Sequence, residues 1–297
     1  MDIKLVRSQM FGSMHKLLSA LLLTLFSFGC QNFVPTKNST EAEAFSSINE
    51  LPDYYTYLDK VVQLQQQYES SQTEALVFPV QFHVIRPLLD APLKDENFSP
   101  AINYLNRTFE STNIRFEQEY GINYLYSNLN LDTFYHNGNI EKQFTYSTYN
   151  LSVINIYIVN SADDVLGFTH YPQVNDQKLF ISQDHLLEPS LIHEMGHYFG
   201  LLHTFEVDQN TQSIVNCNSG GDKICDTSPD IAGASFSTSD CTLFGNYLDK
   251  AGNSFKPDLS NYMSYYDVCR KTFSEEQRKR MYFIAKKIKL PQLRTKA

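Results

Sequence analysis

The stretch His193-Glu194-Met195-Gly196-His197-Tyr198-Phe199-Gly200-Leu201-Leu202-His203 constrains the chain more than any other. His193 and His197 lie four apart, so a helix through them carries both imidazoles on one face, one turn apart. Gly200 can adopt the left-handed conformation that ends such a helix. The chain can then turn and return His203 as a third nitrogen donor. Three neutral imidazoles with an open fourth position match a catalytic rather than a structural zinc site. Glu194 is not needed as a ligand and can reach a metal-bound water. Zinc lowers the pKa of such a water toward ~7, and a carboxylate can take its proton as it attacks a carbonyl. A lone histidine is ordinarily a core or surface residue, but five specified positions at this spacing make coincidence a poor account.

The N-terminus reads as an address. Lys4, Arg7 and Lys16 precede an apolar run over 17–28, which is too short for the ~20 residues of a spanning helix. It fits a secretory core behind a positive flank. The run ends Ser27-Phe28-Gly29-Cys30, which resembles a bacterial lipobox with Ser27 where Leu is usual. Residues 1–30 are thus expected to be a signal peptide with Cys30 as lipidation site. The protein would be an outer-membrane or cell-surface lipoprotein, touching membrane only through its anchor. Without lipidation it would be secreted or periplasmic. Export implies an oxidising environment, so Cys217, Cys225, Cys241 and Cys269 read as two disulfides, with three connectivities open. No C-x₂-C pair is present, which argues against a structural zinc.

Charge narrows the partners. Residues 270–297 hold 10 of the 24 Lys and Arg and 2 of the 33 Asp and Glu, leaving 14 basic and 31 acidic residues elsewhere. An acidic body argues against nucleic acid. The basic end is expected to be the solvated face of a C-terminal helix. Polar residues 31–50 read as a tether, and apolar spacing over 51–70 predicts a short helix, so 31–74 is a tether or pro-segment. The catalytic domain is expected over 75–290, with a basic tail over 291–297. Alternation predicts a first strand at Leu76–Arg86, and Ser99-Pro100 opens a helix expected over 99–116. Strands are expected over 151–159 and 178–182, and a helix over 190–198. The segment 206–260 is loop-rich, long enough to suggest a functional or disulfide-stapled region. Ser274-Glu275-Glu276-Gln277 is a capping box opening a last helix expected to stop before Pro291. His83 reads as a strand residue, and His136, His170 and His185 as surface or loop residues. Gly167 and Phe168 resemble the edge region before the zinc helix.

Sixty residues beyond the triad stands Asn261-Tyr262-Met263-Ser264-Tyr265-Tyr266. The pattern H-E-x-x-H-x-x-G-x-x-H followed by a Met-turn is the metzincin signature. Met263 would floor the metal site, and Tyr265 can aim its hydroxyl at a developing oxyanion. The chain resembles the pappalysin family of metzincin zinc metalloendopeptidases. The likeness runs from about Leu76 to Met281, through His203-Thr204-Phe205, Gly221-Asp222, Asp226-Thr227, Asn261-Tyr262-Met263 and Phe273-Ser274. It implies zinc ligands His193, His197 and His203, the base Glu194, and Tyr265 as transition-state helper. It implies an α/β (α+β) fold, with a twisted, mostly parallel sheet and two long helices above the cleft and an irregular, disulfide-stapled part below. It implies protein or peptide substrates, and the chain is expected to be a monomer. Asp222, the Ile224 carbonyl and Thr227 match a family calcium loop, for which an Asp-rich turn capped by its own side chains is the alternative. The family pattern favours Cys241–Cys269, leaving Cys217–Cys225. Asp267 matches a primed-side pocket position that favours a basic residue, or else a rim carboxylate bonded to backbone. A competing reading is an inactive, zinc-retaining surface binding lipoprotein.

Overall fold

In the computed structural model the described residues are 53–68, 72–88, 98–160, 165–172, 177–206, 217, 221–230, 240–243, 245, 247–266 and 269–294. The leader, Cys30 and Asp267 lie outside them. Among the described residues no helix is long and apolar enough to cross a membrane.

The sheet grows around β1 (Leu76–Arg86), whose alternating sequence exposes Val77 and buries Leu76, Phe78, Val80 and Phe82. Along one edge of β1 lie β2 (Ile114–Gln118), paired with 76–80, and β3 (Asn123–Tyr126), paired with 83–86, both parallel. Along the other edge lies β4 (Ile154–Val159), then β6 (Lys178–Ser182), again parallel. Short β5 (Gly167–Thr169) closes the order β2-β1-β4-β6-β5 as the one antiparallel strand. The expected mostly parallel sheet is therefore present. Every residue of β4 and β6 is buried, as parallel strands covered on both faces require.

Alternation along the strands sorts side chains into two layers. Ile154, Ile156, Ile158, Leu179 and Ile181 face α2 (Ser99–Phe109), which brings Ala101, Leu105 and Phe109, and α5 (Pro189–Tyr198), which brings Leu191, Ile192 and Met195. Tyr157, Val159 and Phe180 face the other way, against Leu131 and Phe134 of α3 (Leu131–His136), with Phe144 of α4 (Gly138–Thr145) packed on them. Ahead of the sheet, α1 (Tyr54–Gln67) buries Tyr57, Leu58, Val61 and Leu64 against Leu202, Phe283, Ile284 and Ile288.

Three expectations need correction. The helix expected over 99–116 ends at Phe109, and after one 3₁₀ turn Asn113 adopts φ 55° and Ile114 enters β2. Ile114 and Phe116 are buried while Arg115 and Glu117 are exposed, a two-residue period that suits the open edge of β1 better than a helix. The strand expected from 151 begins at Ile154. Asn155 turns its side chain back, donating to the Asn150 and Val153 carbonyls at 2.7 and 3.1 Å, and so holds 150–153 as a turn. The last helix, α6 (Glu275–Ile284), does not stop before Pro291. It widens into a π-helical turn at Ala285–Lys289 and resumes as α7 (Leu290–Arg294), with Pro291 just past the junction where the hydrogen-bond spacing changes.

The basic end is only partly a solvated face. Arg280 is buried and donates to Gln65 Oε1 and the Lys223 carbonyl, both at 2.8 Å. Lys289 is buried and donates to the Pro172 carbonyl at 3.0 Å. Lys279 keeps the expected exposed role, paired with Glu275. Arg280 and Lys289 thus fasten the C-terminal helical segment to α1 and to neighbouring loops.

Gly200 ends α5 at φ 82°, and its added Cβ would collide with Ile284. Gly200→Ala is expected to cost about 1–3 kcal/mol through backbone strain and overpacking. Gly138→Ala, with open space around its Cβ, should stay within about 0.5 kcal/mol of wild type. Denaturant unfolding of both variants checks this, and equal stabilities would refute it.

Candidate metal centre

Helix α5 starts with Pro189 in its first turn and ends in a Schellman turn, with Gly200 N–H on the His197 carbonyl and Leu201 N–H on the Gly196 carbonyl. That turn does two things. It sends the chain back so that His203 meets the helix, and it points the Leu201 carbonyl at His197. His197 Nδ1 donates to that carbonyl at 2.8 Å, and His193 Nδ1 donates to the Tyr262 carbonyl at 2.7 Å. A carbonyl only accepts, so each Nδ1 carries the proton and each Nε2 presents a lone pair.

The three Nε2 atoms converge. His197 Nε2 lies 3.1 Å from His193 Nε2 and 3.0 Å from His203 Nε2, and the group is the cluster among the described residues able to hold a metal. Lone pairs facing each other repel unless a cation lies among them. A tetrahedral zinc with Zn–N of ~2.0–2.1 Å spaces its ligands roughly 3.3–3.4 Å apart, so the donor set fits that ion. Burial, then the neighbouring imidazoles, hold His193 and His197 well below the usual histidine range, in the neutral form that ligates metals.

Glu194, next to the first imidazole on the helix, packs against β5. A Cβ on Gly167 would stand 2.9 Å from Glu194 Cγ, so the glycine makes room for this carboxylate. Glu194 is buried and its Oε2 has no hydrogen-bond partner. Burial pushes its pKa up to about 8, against the pull of the nearby Thr169 hydroxyl and Arg270 guanidinium. A buried carboxylate oxygen left unsatisfied, one residue along the helix from the first imidazole, is costly for the fold and suited to handling a proton.

Met263 lies beneath the helix, fully buried. A Cβ on Gly196 would stand 2.5 Å from its sulfur, so this glycine lets helix and turn approach. The turn is held by Asn261, whose Oδ1 accepts from Met263 N–H at 2.9 Å and whose amide donates to Gln277 Oε1 at 2.9 Å. Gln277 also completes the Ser274 capping box of α6. Tyr265 is partly exposed, with its hydroxyl 3.1 Å from His203 Nε2. Burial raises its pKa well above the ordinary phenol value, so it is a hydrogen-bond donor at neutral pH.

The C-terminal part holds the disulfides Cys217–Cys225 and Cys241–Cys269, the pairing the resemblance implied. Asp222, Ile224 and Thr227 come together. Asp222 Oδ1 accepts from Ile224 N–H at 3.1 Å, and the Thr227 hydroxyl lies 2.7 Å from Asp222 Oδ2 and 2.9 Å from the Ile224 carbonyl. One hydroxyl proton cannot serve both oxygens. Burial raises the Asp222 pKa to about 7. The loop is tied to α6 by Asp226, which accepts from Ser274 Oγ and Glu276 N–H.

Two other histidines have partners of their own. His83 is buried against Asn155 Oδ1 at 3.0 Å, and desolvation lowers its pKa to about 4. His170 meets Glu141 at 3.3 Å, where Lys178 also binds at 2.7 Å, in a buried ion cluster behind the sheet. Sequence reasoning missed Tyr171, stacked on Tyr54 at 3.9 Å and set edge-on to His197 at 5.4 Å. It also missed Glu206, whose carboxylate lies 3.7 Å from His203 Nδ1 and accepts from Tyr55. The spacing of Glu206 three residues after His203 was a signal. The carbonyls of Leu201 and Tyr262 left none, because every residue has one.

A sequence model of the pregnancy-associated plasma protein-A family matches residues 141–285. An extracellular metalloprotease of Neurospora crassa is 30% identical over 229 residues, covering 68% of this chain and 72% of that one. An extracellular metalloprotease of Sordaria macrospora is 30% identical over 146 residues, 43% of this chain and 46% of that one. Among solved structures, a promirolysin variant of Tannerella forsythia superposes with a TM-score of 0.58 at 19% identity, covering 84% of this chain and 94% of that one. Mature mirolysin in complex with a cleaved peptide gives 0.54 at 20%, covering 74% and 98%. These two show the shared fold. The sequence matches establish that the chain belongs to the pregnancy-associated plasma protein-A, or pappalysin, family of metzincin zinc metalloendopeptidases.

Proposed function

We propose that the protein is an exported endopeptidase in which His193, His197 and His203 hold zinc, Glu194 is the general base and Tyr265 stabilises the oxyanion. The observation that carries this reading is the convergence of three imidazole Nε2 atoms on the helix that also carries a buried carboxylate with an unsatisfied oxygen. When bound, zinc supplies a Lewis acid that polarises a carbonyl and brings the pKa of water toward ~7. Glu194 Oε2 takes the proton of the attacking water and delivers it to the leaving amine. The Tyr265 hydroxyl donates to the oxygen on which charge develops. β5, with Gly167 against Glu194, borders the place where an extended peptide would lie. The lipid anchor at Cys30, the tether or pro-segment role of 31–74 and a basic preference set by Asp267 belong to the same reading. Export is supported by the two disulfides and by relatives described as extracellular.

We also propose that the Asp222, Ile224 and Thr227 oxygens form a calcium site. Three hard oxygen donors and a desolvated carboxylate suit that ion.

Cleavage of a diverse peptide library, read by mass spectrometry, tests the peptidase. Wild type should cut, and Glu194→Ala should lose about 10²–10⁴ of the rate. Equal cutting by both would remove Glu194 as base, and no cutting by zinc-loaded wild type would favour the binding lipoprotein. Basic residues after the cut would support Asp267.

A thermal melt series from pH 4 to 8 tests the loop. Asp222 has a folded-state pKa of about 7 against an ordinary 3.8, so the folded state binds this proton more tightly. Its contribution is greatest below pH 3.8 and falls as pH rises to about 7. With chelator present, Asp222→Asn should flatten that fall. Calcium should raise the wild-type melting temperature at pH 7.5 and leave the variant unmoved. No calcium effect on wild type would discard the site.

A further inference from the structure

Asp230 is buried, at 1% exposure, and has no part in the chemistry just described. Its two oxygens take hydroxyls from two different segments. Oδ2 accepts from Thr204 Oγ1 at 3.0 Å, and Oδ1 accepts from the Tyr266 hydroxyl. Thr204 directly follows His203, and Tyr266 directly follows Tyr265. The carboxylate therefore bridges the residue after the third imidazole to the residue after the phenol. A second tie joins the same segments, from Thr204 N–H to the Met263 carbonyl at 3.1 Å. His203 and Tyr265 are 62 positions apart in sequence, yet His203 Nε2 and the Tyr265 hydroxyl stand 3.1 Å from each other. Such a separation survives only if both backbones share an anchor.

We propose that Asp230 is the positioning residue that sets His203 against Tyr265. A carboxylate can accept two hydroxyl bonds at once, one on each oxygen, which an amide cannot do because one of its ends is a donor. Groups hydrogen-bonded directly to metal-binding histidines commonly change metal affinity ~10–100-fold when removed, and Asp230, one residue removed from His203, takes the low end of that range. The inference rests on the reading of the three histidines as zinc ligands and adds a residue that neither motif contains.

The test uses the intact chain and four variants. Thr204→Val keeps the side-chain shape and removes the hydroxyl, Thr204→Ser keeps the hydroxyl, Tyr266→Phe removes the phenol oxygen, and Asp230→Asn mispairs one end. Zinc affinity is measured by chelator competition, ligand geometry by the visible spectrum of the cobalt-substituted protein, and folding by thermal melts of the metal-free chain. Thr204→Val, Tyr266→Phe and Asp230→Asn are expected to bind zinc about 10-fold more weakly and to shift the cobalt bands. Thr204→Ser should stay close to wild type. If Asp230→Asn does not fold, the single-hydroxyl variants decide. Variants that melt lower but keep wild-type zinc affinity and cobalt bands would make Asp230 a packing residue and overturn the proposal. A wild-type chain that binds no zinc would overturn the metal reading with it.

Discussion

The hydrogen bond from His193 Nδ1 to the Tyr262 carbonyl joins two segments 69 residues apart and is the constraint around which the centre is arranged. It sets the tautomer of the first imidazole, so that Nε2 faces its partners. It also presses α5 onto the Met263 turn, which is allowed only because Gly196 has no Cβ where the methionine sulfur sits. Move the turn and the first ligand loses its orientation. Move the helix and the floor of the site opens. His197 is oriented differently, by the Leu201 carbonyl four residues on, which the Schellman turn itself supplies. One ligand is therefore aligned by long-range packing and another by local helix chemistry.

Energetically the centre is carried by the rest of the domain. A buried carboxylate with an open oxygen and neutral imidazoles presenting lone pairs to each other are both unfavourable arrangements. They persist because α5 is fixed on its other faces, by Leu191, Ile192 and Met195 against the sheet. Stability is given up at the functional site and recovered from apolar burial around it.

Helix α6 organises the irregular segments after the third imidazole. Ser274 and Gln277 form its capping box, Gln277 reaches on to Asn261 of the turn, and Asp226 binds the start of the helix from the loop that holds Asp222. Arg280, on the same helix, takes the Lys223 carbonyl. A few polar side chains at one helix end thus connect the loop, the turn and, through Tyr262, the first imidazole. Irregular segments need such fastening because they have no ladder of backbone bonds of their own.

Much of this was legible in advance. Periodicity marked β1 and β6 to the residue, and helix α5 could be read from the histidine spacing and its terminal glycine. Misreadings arose where two periods compete over a short stretch, as at 110–116, where the open edge of β1 outweighs helix propensity. They arose also at Pro291, where a π turn lets the helix restart. What the sequence by itself determined is the chemistry: which side chains can ligate, which can carry a proton, and that the first two imidazoles share a face. Those properties belong to residue types and local spacing. What only the tertiary structure decided is which backbone carbonyls orient the imidazoles, that Gly167 leaves room for Glu194, and that Asp230 reaches both Thr204 and Tyr266. Such relations join segments distant along the chain through atoms that every residue shares, or through distances of a few ångströms, and no local pattern encodes them.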